Sequence, residues 1–295
     1  MKIFITGATG FIGGEIVLGL LERGYQIRAL ARNPDRARAL LPSGVERVKG
    51  DITRPEGLYD AVSGCDAIIH LVGIIFEKDK NMFDDVHYKG TVNIVTAAKQ
   101  AKVKRFLHMS ALGSRPDAVS NYHRTKYRGE QCVVKSGLNY TIFRPSLVFG
   151  QKDRSINLFI KMIKLMPIFP VIGSGGGRTQ PVFVSDVARA FVASVEDKNT
   201  FSKTYDLGGP NTMTYEELFD LIMEVIGKRR RKLYIPIGLM RPLAAIYELL
   251  RIPVISRDQL IMLEEDNTCD NSSASKDLGI RFQDLKEYLK GLKKY

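Results

Sequence analysis

A glycine-rich turn close to the start of the chain limits the folds open to it. The segment Thr6-Gly7-Ala8-Thr9-Gly10-Phe11-Ile12-Gly13 has the spacing G-x-x-G-x-x-G and follows the apolar run Ile3-Phe4-Ile5. Between a strand and a helix, such small residues let the backbone turn tightly and approach a diphosphate, to which the helix presents unpaired N–H groups. The segment therefore predicts a nucleotide site rather than a plain tight turn, with contacts from Gly7, Thr9, Gly10, Phe11, Ile12 and Gly13.

The first half of the chain alternates between short apolar runs and segments of helical periodicity. We predict strands over residues 3–5, 26–31, 45–49, 67–72 and 105–109, and helices over 12–23, 55–63, 84–102 and after Asn33-Pro34. Strands separated by helices of this length form βαβ units, and hence a parallel sheet with right-handed crossovers. The expected fold class is therefore α/β, with a doubly wound parallel-sheet Rossmann domain.

The second half is less regular and predicts a smaller, partly interleaved C-terminal α/β lobe. Helices are expected over residues 156–166, 186–195 and 214–226, the last opened by a capping box of Thr214 and Glu217. Short strands are expected at 182–184 and 204–207, a loop at 173–177, and two or three helices from Pro236 to Tyr295. We divide the chain into a nucleotide-binding domain, residues 1–150, to which 179–210 return, and a substrate or partner lobe, residues 151–295.

The end of the second strand selects between the two nicotinamide dinucleotides. An acidic residue there would bond the ribose 2′-OH of NAD, whereas an arginine accommodates a 2′-phosphate. The position falls on Arg32, with no carboxylate before Asp35, so NADP(H) is preferred and NAD(H) stays an alternative. Further strand-end contacts are predicted from Asp51 and Ile52, near the adenine, and from Leu71, Val72 and Gly73, near the nicotinamide.

Tyr122 and Lys126 stand four residues apart on a predicted helix, which places them on the same face. A lysine ammonium beside the phenol lowers its pKa, so that the tyrosine can donate or accept a proton, and the lysine can also bond a ribose hydroxyl of the cofactor. We therefore predict Tyr122 as acid/base and Lys126 as its modulator. His70, His108 and His123 lack the spacing of metal ligands, and no metal site is predicted.

The chain is basic, with 44 Lys and Arg against 32 Asp and Glu and a net charge of +12. Such a charge suits an anionic membrane, nucleic acid or a phosphorylated cofactor, but no nucleic-acid motif is present. The densest run, Lys228-Arg229-Arg230-Arg231-Lys232, precedes an apolar stretch over residues 233–254. A solvated loop is the favoured interpretation, and peripheral contact with a membrane is the alternative. We expect no leader and no membrane span, and a cytoplasmic location, with the inner face of the membrane as the alternative.

These motifs resemble those of the extended short-chain dehydrogenase/reductases over nearly the whole chain, and Arg144-Pro145-Ser146 adds to the match. Within that superfamily the sequence is most similar to an atypical branch that contains the nucleotide-binding accessory subunit of respiratory complex I and its bacterial relatives. The similarity rests on Met109-Ser110-Ala111-Leu112-Gly113, Asp258-Gln259-Leu260 and Glu264-Glu265-Asp266-Asn267. It implies cofactor contacts from Pro145 and Ser146, a tightly held nucleotide without assigned turnover, and a respiratory-chain or membrane-associated partner. Some distant relatives act in quinone biosynthesis.

Two positions depart from the active pattern of the superfamily. By our alignment, Ala111 stands where a Ser or Thr orients the substrate carbonyl, and Ser110, one residue earlier, belongs to the other face of the strand. His87 stands where a helix Asn supports the proton relay. Three readings stay open: an NADP(H)-binding accessory or assembly protein with slow or no turnover, which we favour; an active NADP(H)-dependent oxidoreductase or epimerase on an apolar substrate, such as a quinone precursor or isoprenoid; and a redox-sensing regulator.

Overall fold

Parallel strands form the centre of the structure, a computed structural model that describes residues 1–78, 82–250 and 255–292. Within these ranges the strands are β1 (Lys2–Thr6), β2 (Gln26–Ala31), β3 (Val45–Lys49), β4 (Ala67–His70), β5 (Arg105–Met109), β6 (Asn139–Pro145), β7 (Val148–Phe149), β8 (Ile168–Ile172), β9 (Arg178–Thr179), β10 (Val182–Phe183), β11 (Lys203–Leu207), β12 (Met213–Thr214) and β13 (Arg231–Ile235). Seven of them form one sheet in the order β11-β6-β5-β4-β1-β2-β3, and each neighbouring pair is parallel. The predicted doubly wound parallel sheet is confirmed.

Helices connect the strands and cover both faces of the sheet. They are α1 (Phe11–Glu22), α2 (Pro34–Leu40), α3 (Leu58–Val62), α4 (Gly90–Gln100), α5 (Asn121–Val134), α6 (Ser155–Leu165), α7 (Val184–Ser194), α8 (Tyr215–Ile226), α9 (Ile237–Leu249), α10 (Arg257–Glu264), α11 (Ser272–Leu278) and α12 (Leu285–Leu292). Directly before α4, Asp84–Lys89 form a wider π-helical turn. The predicted helix over residues 84–102 is therefore present, with an irregular first turn.

Strand β1 divides the core into two layers. Ile3 and Ile5 pack on one face with Ile16 of α1, and Phe4 packs on the other face with Ile94 of α4. All five side chains are fully buried. Because successive side chains of a strand point to opposite faces, a strand that is covered on both sides reads as a continuous apolar run.

Two predicted helix starts are confirmed by their caps. The Asn33 side chain accepts a hydrogen bond from the backbone N–H of Arg36, and Pro34 occupies the first position of α2. At the start of α8, the Thr214 side chain accepts from the backbone N–H of Glu217 while the Glu217 carboxylate accepts from the backbone N–H of Thr214. Each cap satisfies N–H groups that have no partner within the helix.

The structure departs from the prediction at three places. Residues 231–232 do not belong to a solvated loop but begin β13, which pairs in parallel with β8. Between residue 236 and the end of the described chain there are four helices, α9 to α12, rather than two or three. Strand β6, which lies between β11 and β5 in the main sheet, was not predicted, because its residues 139–145 combine polar and apolar side chains without strict alternation.

Candidate functional site

A cleft of about 990 Å³ opens at the carboxyl ends of β1, β4, β5 and β6. Doubly wound sheets bind their ligands at this edge. The cleft is lined by residues 7–15, 39–42, 109–113, 145–148, 152–155 and 265–267, together with Leu18, Leu71, Gly73, Ile75, Tyr122, His123, Lys126, Tyr215 and Met262. Both halves of the chain therefore contribute walls to it.

Glycine is required at two positions of the turn after β1. Gly7 has a φ of +79°, and a Cβ there would lie 3.2 Å from the backbone of Leu71. In the first turn of α1, a Cβ on Gly13 would lie only 2.2 Å from the carbonyl oxygen of Gly7. The N-cap residue Gly10 provides no side-chain cap, so the first N–H groups of α1 are left for a ligand in the cleft.

The cleft brings together most of the residues predicted from the sequence: Gly7, Thr9, Gly10, Phe11, Ile12, Gly13, Leu71, Gly73, Ser110, Tyr122, Lys126, Pro145 and Ser146. Arg32, Asp51, Ile52 and Val72 are not among its lining residues. Ile52 and Val72 pack in the core between the sheet and α4. Asp51 accepts hydrogen bonds from the backbone and hydroxyl of Thr53, and Arg32 is exposed after β2. Cofactor contacts stay predictions, both for these four residues and for those that line the cleft.

Lys126 and Tyr122 both lie on α5 and both line the cleft. The Lys126 side chain is buried, and its Nζ donates to the carbonyl oxygen of Met109 at 2.9 Å. Gly73 lies close to this amine: a Cβ on Gly73 would be 3.1 Å from Nζ, a tight contact that the lysine side chain would have to relieve. Lys126 is thus held between the ends of β4 and β5, with further N–H bonds left to donate into the cleft.

Aromatic rings surround the phenol of Tyr122. The ring centroids of Phe83, His87 and His123 lie 5.8, 5.3 and 5.2 Å from that of Tyr122. Burial among them raises the pKa of Tyr122 to about 12, and burial lowers the pKa of Lys126 to about 8. The lowered pKa that was predicted for this tyrosine is therefore not found, because loss of hydration on the phenolate raises the pKa instead.

His87 uses both of its ring nitrogens within the protein. Nε2 accepts from the backbone N–H of Ile74 at 3.0 Å, and Nδ1 lies 3.0 Å from the hydroxyl of Thr125. That hydroxyl donates to the carbonyl of Asn121, so it accepts from Nδ1–H and fixes the tautomer. Burial and the charge of Lys126 lower the pKa of His87 to about 2. A neutral imidazole with no free nitrogen is a poor member of a proton relay.

The end of β5 carries the second departure from the active pattern. Ala111 and Ser110 both line the cleft and both are buried. The Ser110 hydroxyl lies 3.2 Å from that of Ser114, and this pairing occupies the only side-chain hydroxyl at residues 109–113. The methyl group of Ala111 offers no hydrogen bond to a substrate carbonyl.

The wall of the cleft that comes from the second half of the chain was not predicted from the sequence. Lys152 and Arg154 add positive charge, and Met262 adds an apolar surface. Glu265 pairs with Arg115 at 2.9 Å, and Asp258 accepts the backbone N–H of Tyr122 at 2.7 Å. These contacts come from the segments 258–260 and 264–267, whose resemblance to the complex I branch was noted from the sequence. Their position beside α5 was not predictable from spacing.

The cleft fits a dinucleotide on structural grounds. Its glycine turn excludes side chains at the N-terminus of α1, which is where a diphosphate accepts N–H bonds. Lys126 has donors left for hydroxyl groups deeper in the cleft. A family described as NAD(P)H-binding matches residues 7–163, more than half of the chain. The chain belongs to this NAD(P)H-binding family.

Relatives of this NAD(P)H-binding protein include subunits and assembly factors of electron-transfer complexes. It is 30% identical over 292 residues to the mitochondrial 40 kDa subunit of NADH-ubiquinone oxidoreductase of Neurospora crassa, with 96% of this chain and 76% of the relative covered. It is 28% identical to the photosystem II assembly factor Ycf39 of Cyanophora paradoxa, with 81% and 73% covered. The predicted relation to the complex I accessory subunit is confirmed.

Among solved structures, the NAD(P)H-binding protein is similar to an NADPH-dependent quinone oxidoreductase of Escherichia coli in complex with NADPH. The TM-score is 0.77 at 22% identity, with 98% of this chain and 99% of that chain covered. At this identity the likeness establishes the fold. Within the described ranges, no helix has the length and apolar character to cross a bilayer. The same ranges hold no group of three or more His, Cys, Asp or Glu arranged to bind a metal ion.

Proposed function

We propose that this protein binds NADP(H) in the cleft, with slow or no turnover, in an accessory or assembly role linked to the respiratory chain. The observation that carries the proposal is the environment of Tyr122. Its pKa is raised to about 12, Ala111 stands, by our alignment, where the superfamily has a substrate-orienting hydroxyl, and His87 has no nitrogen free. The residues expected to bind the cofactor are therefore present, while those expected to transfer a proton are altered or occupied.

The chain's own residues account for cofactor binding. The first turn of α1 receives the diphosphate, and Lys126 donates to a ribose hydroxyl while keeping its bond to Met109. Arg32, the residue directly after β2, pairs with the 2′-phosphate. Bound NADPH supplies a hydride donor. Tyr122 is the residue able to protonate an acceptor, but a phenol of this pKa remains protonated and regenerates its proton slowly without a relay.

The cofactor preference is tested by equilibrium titration with NADPH and NADH, followed by nicotinamide fluorescence. We expect the wild-type protein to bind NADPH more tightly than NADH. Arg32→Ala should weaken NADPH binding by about tenfold, because a charge-assisted bond to phosphate contributes on the order of 1.5 kcal/mol or more, and should leave NADH binding unchanged. Equal affinities for the two dinucleotides in the wild-type protein would refute the preference.

The accessory role is tested in cells that lack the gene. The readout is NADH-driven respiration of isolated membranes. Tyr122→Phe should restore it as the wild-type gene does, because the proposal needs binding and not proton transfer, whereas Gly13→Ala should fail. If Tyr122→Phe fails to restore respiration while the variant protein still binds NADPH, the proposal of a non-catalytic role is wrong.

An active oxidoreductase is the second candidate, favoured by the presence of Tyr122 and Lys126 together in the cleft. Apolar side chains such as Ile75, Leu147 and Met262 line the same space and suit an apolar substrate, such as a quinone precursor or isoprenoid. The test adds extract of the source organism to NADPH-loaded protein and follows the nicotinamide absorbance. A loss of absorbance that disappears in Tyr122→Phe would establish this candidate.

A further inference from the structure

Helix α9 carries a row of exposed apolar side chains. Met240, Ala244 and Tyr247 face the protein and pack in one cluster with Ile172 and Leu263. One flank of the helix, at spacings of four, three and four residues, remains exposed and consists of Leu239, Leu243, Ile246 and Leu250. At about 100° per residue these positions share one side of the helix. We call this row the α9 stripe.

The other flank of α9 is polar and is held to α10. Arg241 pairs with Glu264 at 3.7 Å, and Glu248 pairs with Arg257 at 2.7 Å. Together with the apolar cluster around Ala244, these contacts orient α9 so that the stripe faces outward. Leu239 is 67% exposed and Leu249, at the end of the helix, is 81% exposed. A folded chain retains such leucines at its surface only at a cost in hydration.

The apolar surface continues onto the two-stranded sheet of β8 and β13. Phe169 and Val171 of β8 point into the core between α6 and α8. By alternation, Ile168 and Ile172 point to the opposite face, and Ile172 is covered there by α9. Ile168 is exposed, as is Leu233 on β13. This face therefore extends from Ile172, which α9 covers, to Ile168 at the open end of the sheet.

Exposed positive charge lies on α6, which precedes β8, and in the basic run that leads into β13. The exposed cations are Lys161, Lys164, Lys228, Arg229 and Arg231, and none of them forms an ion pair with a carboxylate of the described chain. The Arg230 guanidinium donates to the carbonyl of Ile163 at 2.8 Å and so holds the basic run against the C-terminal end of α6. Next to it, Leu165 is 71% exposed.

We propose that the α9 stripe, the open end of the β8–β13 sheet and these five cations form a docking face for an anionic lipid bilayer. Leucine and isoleucine side chains would enter the boundary between headgroups and acyl chains, while the cations meet lipid phosphates. A protein partner fits less well, because the cores of protein interfaces are depleted in lysine. The proposal is independent of the cleft and of any turnover there.

The first experiment measures co-sedimentation of the full chain with vesicles of phosphatidylcholine alone and with 30% phosphatidylglycerol, at low and high salt. We expect binding to the anionic vesicles that weakens as salt screens the charges. Lys228→Gln, Arg229→Gln and Arg231→Gln combined should reduce partitioning about 100-fold, since each surface cation contributes roughly a factor of five. Lys99→Gln, Lys104→Gln and Lys135→Gln combined remove the same charge elsewhere and should bind as wild type.

The second experiment replaces the apolar part of the face. Leu239→Gln with Ile246→Gln should reduce partitioning by roughly tenfold, because two side chains no longer enter the bilayer. Tyr59→Gln with Val134→Gln, two exposed apolar residues elsewhere, should not reduce it. Thermal unfolding of every variant at the wild-type temperature shows that a difference in partitioning arises at the surface and not from loss of folding. Lack of binding to anionic vesicles, or equal loss in the control variants, would overturn the proposal; retention on a membrane protein complex without vesicle binding would assign the face to a protein partner instead.

Discussion

The amine of Lys126 lies where two strand ends meet, and its surroundings make it a weak base. It is 3% exposed, bonds one carbonyl and has Glu130 as its nearest compensating charge. Close to pH 8 the folded protein therefore begins to release a proton that the unfolded chain keeps up to about pH 10.4. A group in this state is neutral for part of the time at working pH and bonds ribose hydroxyls without the full cost of a buried charge.

This proton difference predicts how stability depends on pH. Between about pH 8 and pH 10 the unfolded state binds more protons than the folded state, so the free energy of unfolding rises with pH. The rise attributable to Lys126 is at most about 1.4 kcal/mol per pH unit. Urea unfolding of the wild type and of Lys126→Met at pH 8, 9 and 10 measures it as the difference between the two proteins. A difference that is constant with pH would contradict a lowered pKa.

At Ala111 a single missing hydroxyl is expected to limit turnover. Ala111→Ser and Ala111→Thr should raise NADPH oxidation by a short-chain benzoquinone at least about tenfold, because one positioned donor contributes on the order of 100-fold to such reactions. Ala111→Val has nearly the shape of the threonine variant without its hydroxyl and should leave the rate unchanged. If Val raises the rate as Thr does, the cause is cavity shape and not hydrogen bonding.

Helix α1 is the element on which nucleotide binding depends, and two adjacent glycines in it play different parts. Gly13 lies against the carbonyl of Gly7, whereas a Cβ on Gly14 would meet no atom within 4 Å. The close approach of α1 to the turn therefore depends on the missing side chain of Gly13 and not on that of Gly14. Their sequence context is the same, and only the packing distinguishes them.

Alanine substitutions separate the two glycines experimentally. Gly13→Ala should destabilise the protein by about 1–3 kcal/mol through overpacking and should abolish NADPH binding, because the turn must shift. Gly14→Ala should instead raise the free energy of unfolding by about 0.5–1 kcal/mol, the usual gain from replacing a helical glycine. Thermal unfolding and nicotinamide fluorescence provide the two measurements. Similar behaviour of both variants would mean that the turn is not as tight as described.

Across the whole molecule, three buried histidines link the sheet to its helices. Burial lowers the pKa of His70 to about 3 and that of His87 to about 2, and lowers the pKa of His108 as well. His70 bonds the hydroxyls of Thr6 and Thr91, while His108 stacks on His70 with no partner for either ring nitrogen in the described chain. All three side chains must stay neutral for the protein to remain folded.

The histidines predict marked acid sensitivity. Below about pH 6.5 the unfolded chain protonates them while the folded chain does not, so the free energy of unfolding falls as the pH is lowered from about 6.5 towards 3. Together these three contribute about 4 kcal/mol per pH unit at most, and His123, whose pKa burial also lowers, adds to the slope. His108→Phe removes one of these groups without losing a hydrogen bond and should reduce the slope between pH 6 and pH 5 by about a quarter to a third. An unchanged slope would mean that His108 is protonated in the folded protein.

The fold was largely predictable because its signals are local, whereas the site was predictable only in part. The glycine turn, the buried strands and the caps of α2 and α8 depend on neighbours within a few residues of one another. The pKa of Tyr122 depends on rings from Phe83 and His87, nearly forty residues earlier in the chain, which spacing cannot place. For the same reason, the wall formed by Met262 and Glu265 was not expected at the cleft.

The position of β11 has a consequence for the evolution and synthesis of the chain. This strand, residues 203–207, lies beside β6 at the edge of the sheet, and α7 packs across α1. The Arg105 guanidinium joins these parts by donating to the carbonyl of Val195 and the hydroxyl of Thr200. When only the first 150 residues have left the ribosome, the sheet therefore has an open edge at β6, and α1 lacks the helix α7 that packs across it. A gene fusion that takes only residues 1–150 would leave out α7 and β11. We therefore expect recombination to keep residues 1–207 together.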